Sequence, residues 1–199
     1  MNTPNKITVT RIIVSIFLLI FLIIPWYELG IQFPTFLVGG KVIIDSKYII
    51  AGLLFMFAAI TDFIDGYLAR KYNQVTDFGK FMDAIADKIL VNGVLIVLAS
   101  TGFISVAIPV IIITRDIIVD ALKMNAENKG ITIAASILGK IKTIFMLVGV
   151  TLLFFYNLPF ELINIYVADI LIILATVLSV VSGINYYFDI RLKIKEIKK

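Results

Sequence analysis

TDFIDGYLARKYNQVTDFGKFMDAIADK, residues Thr61–Lys88, decides how this chain is read. It places four aspartates, Asp62, Asp65, Asp83 and Asp87, in segments otherwise apolar enough to enter a membrane. An ionisable side chain inside a bilayer costs about 2.5–3.5 kcal/mol on insertion scales, so four unpartnered acids would cost roughly 10–14 kcal/mol. They need compensating charge, and metal is the obvious candidate. On a helix, Asp62, Asp65, Gly66 and Ala69 stand at i, i+3, i+4 and i+7, which is one face. Gly79, Asp83 and Asp87 stand at i, i+4 and i+8, again one face. Two acidic stripes joined by a short loop are expected to face each other. Gly66, Ala69 and Gly79 would let helices, or a flat ligand, come close to the backbone. Carboxylates on facing helices of a bundle are a known way to hold two metal ions.

Composition agrees with a bilayer environment. Of the 199 residues 60% are hydrophobic and only 16% charged, where soluble domains average nearer a quarter. The chain has neither cysteine nor histidine, which excludes disulfides, thiolate nucleophiles and imidazole bases. Carboxylates must therefore carry any acid–base and metal chemistry, and their hard oxygens suit Mg²⁺, Mn²⁺ or Ca²⁺ better than zinc.

Outward from the aspartates, apolar runs predict helices over Ile12–Trp26, Tyr48–Tyr72, Asp77–Thr101, Ile104–Asn125, Ile133–Phe155 and Ile165–Phe188. Before the first lies a short polar start broken by Pro4, with no small-residue cleavage site after it. Glu28–Lys47 reads as a long loop, with a small hairpin at Gly39-Gly40. The expectation is an all-α integral membrane protein, six transmembrane helices in one bundle, with residues 1–199 forming a single domain. Basic residues cluster on one side: Lys6, Arg11, Arg70, Lys71, Lys80, Lys123, Lys129, Lys140, Lys142 and the tail RLKIKEIKK. The opposite loops hold only Lys41 and Lys47, which places both termini in the cytoplasm. By helical rise, Asp83 and Asp87 lie roughly 9 and 15 Å into their helix and Lys140 and Lys142 roughly 10–14 Å into theirs, with Arg115 at similar depth. One cytoplasm-facing cavity, acidic on one wall and basic on another, is the expected site. Asp116 and Asp120, one turn apart, have no assigned role; Asn92, Thr61 and Thr8 are candidate contacts to a ligand.

Read together, the residues form D-x-x-D-G-x-x-A-R, eight residues, then G-x-x-x-D-x-x-x-D. This resembles in full the signature of the CDP-alcohol phosphatidyltransferase family, and the six spans and the Pro4-Asn5 pair look like that family too. The resemblance implies attack by an alcohol on the β-phosphorus of a CDP-linked lipid, with CMP leaving. It implies Mg²⁺ or Mn²⁺, two ions, on Asp62, Asp65, Asp83 and Asp87, with Asp87 also the general base. Gly66, Ala69, Arg70 and Asn5 would hold the CDP group. The region Arg115–Thr143 is similar to the bacterial phosphatidylglycerophosphate synthases. That implies CDP-diacylglycerol and glycerol 3-phosphate as substrates, with Arg115, Lys140 and Lys142 on the acceptor phosphate. Homodimerisation in the membrane is also implied. Inositol phosphate, serine or phosphatidylglycerol are alternative acceptors. A divalent-cation transporter is the competing class, and it leaves Gly66, Ala69 and Arg70 unexplained.

Overall fold

The computed structural model describes the backbone of residues 3–72, 76–131 and 136–197, and their side chains except at positions 3, 4, 70, 77, 80 and 195–197. Among these residues the chain forms six α-helices: α1 (Thr3–Ile23), α2 (Ser46–Lys71), α3 (Asp77–Ser100), α4 (Ala107–Glu127), α5 (Ile137–Phe154) and α6 (Val167–Ile197). A hairpin, β1 (Thr35–Val38) with β2 (Val42–Asp45), precedes α2, and a 3₁₀ turn (Phe160–Ile163) precedes α6. The hairpin turns at Gly39 and Gly40, whose φ values of +60° and +67° suit glycine. Its register runs from Thr35 opposite Asp45 to Val38 opposite Val42. The hairpin expected at the glycine pair is therefore present.

Three boundaries differ from expectation, each for a physical reason. Helix α1 includes Pro4, because proline is tolerated in a first turn whose N–H groups have no intrahelical acceptor. Helix α6 does not stop at Phe188 but runs 31 residues to Ile197, roughly 46 Å at 1.5 Å per residue. Its charged end is helical because Ile190 and Ile194 continue an apolar stripe onto Leu122, Ala126 and Ile131 at the end of α4. Helix α5 begins at Ile137, so Lys140 and Lys142 stand only about 5 and 8 Å from its start.

Among the described residues, four helices are long and apolar enough to cross a membrane: segments Asn5–Ile23, Ser46–Ala69, Ile137–Phe154 and Val167–Ile194. The protein is a multi-pass membrane protein. Helices α3 and α4 are as long, with 24 and 21 residues, but carry the charged side chains that build the site. Many large apolar side chains face outward, among them Ile13, Phe17, Phe57, Phe63, Ile96 and Ile173, as a lipid-facing surface requires.

Helix α1 packs on both α2 and α3, and α6 packs on α4 and α5. One core joins them, built on Leu18, Phe55, Val94, Leu98, Ile112, Met146, Phe154 and Ile172. Small residues set the spacing. A Cβ on Gly149 would lie 2.8 Å from Ile172 Cγ1 and 3.3 Å from the Ala168 carbonyl oxygen, so α5 and α6 meet almost backbone to backbone. Gly149→Val should lower the thermal unfolding temperature in detergent, an overpacking cost of about 1–3 kcal/mol. An unchanged transition would mean that these helices do not approach so closely.

Candidate active site

At the end of the bundle where α2 finishes and α3 begins, Asp62, Asp65 and Asp83 converge, with ligand oxygens all within 4.8 Å of one another. The two acidic faces do come together, though α2 and α3 each pack far more extensively on α1 than on one another. Helix α1 lies against both, and its Arg11 reaches the cluster. One Arg11 terminal nitrogen donates to Asp62, and the other donates to Asp65 and Asp83 at 2.7 Å each. Arg11 is 1% exposed, so this charge is fully withdrawn from solvent. Thr8 Oγ1 donates to Asp65 Oδ2 at 2.8 Å and fixes the most buried acid.

The sequence reading used Arg11 only as a topology marker. A basic residue near a helix end is ordinarily an interface anchor, and only packing brings this one onto the acids. Thr8, a candidate contact, does touch the site. Thr61 does not: its hydroxyl donates to the Ala58 carbonyl of its own helix.

Asp87, one turn beyond Asp83, stands apart from the three-aspartate group. It lines an adjoining cavity of about 300 Å³ together with Asn92, Arg115, Lys140, Lys142 and Tyr186. The basic wall is not uniformly available. Arg115 donates to the Ser179 carbonyl at 2.8 Å, to Ser182 Oγ at 2.7 Å and to Asp116 at 2.8 Å, which ties it to α6. Lys142 donates to both oxygens of Asp116, at 2.9 and 3.1 Å. Asp116 therefore bridges α4 and α5 by holding two cations, which accounts for one of the two aspartates without a role. Asp120, the other, pairs with Lys88 near the surface. Lys140 is exposed and has no ion-pair partner among the described residues.

Tyr186 is a further cavity residue with no signal in the sequence, being one aromatic on an apolar helix. Its hydroxyl accepts the Ser136 N–H at 2.7 Å, and Ser136 in turn caps α5 through the Gly139 N–H. Lys123 Nζ lies 4.6 Å from the Tyr186 ring centroid, in cation–π contact.

The expected CDP-holding residues are placed unevenly. Gly66 and Ala69 lie half-buried on the α2 face that carries the acids, and the Arg70 side chain falls outside the described residues. Asn5 is buried and exchanges hydrogen bonds with Thr76, the α3 N-cap, at 3.2 and 3.3 Å. A Cβ on Gly79 would lie 2.7 Å from Asn5 Oδ1, so Gly79 admits the start of α1 against α3.

The donor set fits a divalent ion. Three hard carboxylate oxygens lie within the span that ligands at about 2.0–2.6 Å from one cation require. A guanidinium, itself a cation, already rests on all three carboxylates.

A helical membrane bundle with an acidic cluster beside a cavity lined by basic side chains has the donors that a metal-bound phosphate compound needs. The family comparison agrees: the model described as CDP-alcohol phosphatidyltransferase matches residues 1–181, and the chain belongs to that family. It is 39% identical over 188 residues to the CDP-diacylglycerol–glycerol-3-phosphate 3-phosphatidyltransferase of Bacillus subtilis (strain 168), covering 94% of this chain and 93% of that one. The protein of the same name from Mycoplasma genitalium is 41% identical over 147 residues, covering 73% of this chain and 61% of that one. In fold, the chain is similar to the apo crystal structure of Mycobacterium tuberculosis phosphatidylinositol phosphate synthase, with a TM-score of 0.60 at 19% identity over 94% of this chain and 88% of that one.

Removing the Asp116 carboxylate leaves Arg115 and Lys142, 15% and 12% exposed, without their shared anion. Asp116→Ala should cost on the order of 2 kcal/mol, less than the 3–5 kcal/mol for breaking a fully buried pair. Asp120→Ala, at an exposed pair, should cost about 1 kcal/mol or less. Thermal unfolding of both variants checks the contrast, and equal losses would remove the bridging role of Asp116.

Proposed function

We propose that this protein transfers the phosphatidyl group of CDP-diacylglycerol to sn-glycerol 3-phosphate, giving phosphatidylglycerophosphate and CMP. The observation that carries the reading is the junction of the three-aspartate cluster with a cavity that has Asp87 on one side and Lys140 and Lys142 on the other. The activity for which the Bacillus subtilis relative is named, at 39% identity over nearly the whole chain, supports the acceptor.

In this reading Asp62, Asp65, Asp83 and Asp87 would hold two divalent cations, Mg²⁺ or Mn²⁺. When bound, such ions neutralise the diphosphate and stabilise the leaving phosphate. The chain's own residues do the rest. Gly66, Ala69, Arg70 and Asn5 bind the CDP group, with Asn5 held in place by Thr76. The acceptor hydroxyl oxygen attacks the β-phosphorus, the bond from that phosphorus to the CMP oxygen breaks, and CMP leaves with the electron pair. Asp87 takes the hydroxyl proton. With no histidine in the chain, a carboxylate is the base available there, acting mainly by position. Lys140, Lys142 and Arg115 hold the acceptor phosphate, the last two oriented by their shared contact with Asp116.

The same reading makes the chain a single domain of six spans in the cytoplasmic membrane. Both termini and the site face the cytoplasm, and the apolar outer faces of the helices are available to a second copy in a homodimer. The basic residues at the site end support this orientation. Because the chain has no cysteine, single cysteines report topology cleanly. Lys6→Cys and Lys193→Cys should react with a membrane-impermeant thiol reagent only in inside-out vesicles, and Lys41→Cys only in right-side-out ones. The reverse pattern would invert the protein.

Activity offers the direct test. Purified protein with Mg²⁺ or Mn²⁺ should release CMP from CDP-diacylglycerol fastest with glycerol 3-phosphate, and a chelator should stop it. Preference for inositol phosphate, serine or phosphatidylglycerol would replace the acceptor, and no CMP with any alcohol would end the proposal. Asp87→Asn should lower kcat by about 10²–10⁴-fold with nucleotide binding retained, as loss of a general base does. Equal loss of binding would make Asp87 chiefly a metal ligand. Lys140→Ala should raise the acceptor KM with a smaller change in kcat.

A further inference from the structure

We infer that Arg11 is a resident counter-cation of the acidic site, competing with a divalent metal ion for Asp62, Asp65 and Asp83. This deepens the proposed function and rests on its reading of those aspartates as metal ligands. Two terminal nitrogens of one side chain reach three carboxylates on two helices, one nitrogen being shared between Asp65 and Asp83 at 2.7 Å from each. A divalent ion sits about 2.0–2.6 Å from its oxygen ligands. The oxygens of this cluster span at most 4.8 Å, so ion and guanidinium nitrogen would occupy the same small volume. For an ion to enter, Arg11 must withdraw from at least one carboxylate.

Like charge adds to the crowding: the two negative charges that one guanidinium leaves on three carboxylates attract a divalent ion, while the positive charge of Arg11 repels it. Arginine does not deprotonate in proteins, so the competition proceeds by movement of the side chain and not by loss of its charge. The grip is also incomplete. Arg11 Nε is buried and makes no hydrogen bond among the described residues, so the terminal nitrogens alone hold the group to the acids. Arg11 thus keeps the acids from repelling one another before an ion arrives, and weakens the first ion's binding by the contacts it must surrender. A purely structural ion pair would behave differently, because its removal would weaken the bundle without making metal bind more tightly.

The test is Mn²⁺ binding by the purified full-length protein in detergent, read from the electron paramagnetic resonance signal of free Mn²⁺, for wild type, Arg11→Met and Arg11→Lys. Arg11→Met should bind Mn²⁺ about tenfold more tightly, within the usual size of a coupling between competing ligands. It should also melt at a lower temperature than wild type without Mn²⁺ and recover when Mn²⁺ is added. Arg11→Lys, whose single ammonium cannot span three carboxylates, should bind Mn²⁺ more tightly by a smaller factor, and it carries the test if the methionine variant does not fold. Equal or weaker Mn²⁺ binding in the variants would overturn the inference and leave the metal reading of the aspartates standing. No Mn²⁺ binding in any of the three proteins would overturn both.

Discussion

The contact between the Arg11 guanidinium and the carboxylates of α2 and α3 is the interaction on which the arrangement depends. Three acids at one end of an apolar bundle repel each other, and burial strengthens that repulsion by lowering the local dielectric. Arg11 meets them with a planar fork of donors, and Thr8 adds a hydroxyl from the same helix. Helix α1 is thereby drawn between the two acidic faces. Asn5 binding Thr76 seats the start of α1 against the start of α3, with Gly79 allowing the approach. The N-terminal segment is thus part of the site wall and more than a membrane anchor.

The opposite wall follows the same rule with the signs reversed. Arg115 and Lys142 are two cations on neighbouring helices, and Asp116 holds them together. Arg115 also donates to the Ser179 carbonyl and the Ser182 hydroxyl, and a Cβ on Gly183 would crowd its side chain at 3.1 Å. Helix α6, almost wholly apolar in its membrane portion, is fixed against α4 by polar contacts at this one level. Neither wall neutralises itself: Arg11 offsets one of three carboxylate charges, and Asp116 offsets one of the two cations that it holds, with Lys140 a further positive charge beside them.

Much of the fold could be read from hydropathy and spacing, because a bilayer demands long apolar helices and punishes stray charge. The helices, the glycine hairpin and the facing acids of α2 and α3 all followed from that demand. Errors occurred where the demand relaxes. Outside lipid a charged helix end is unconstrained by hydropathy, so the extension of α6 to Ile197 depended on Ile190 and Ile194 finding partners on α4. Pro4 looked like a break and instead opens a helix. Arg115, expected on the acceptor phosphate, lines the cavity, and three of its five donors pair with Asp116, Ser179 and Ser182, contacts that no local pattern announces.

Residue type and spacing alone pointed to a membrane protein whose candidates for acid–base and metal work are carboxylates: no histidine or cysteine was available, and the aspartates fall on single helical faces. Helical periodicity is a local property, so it is visible in one chain of letters. Which cation meets those acids, which basic side chains are already paired, and that Asp87 belongs to the cavity and not to the three-aspartate group depend on contacts between residues up to 72 positions apart. Such contacts exist only once six helices have packed, and no local pattern encodes them.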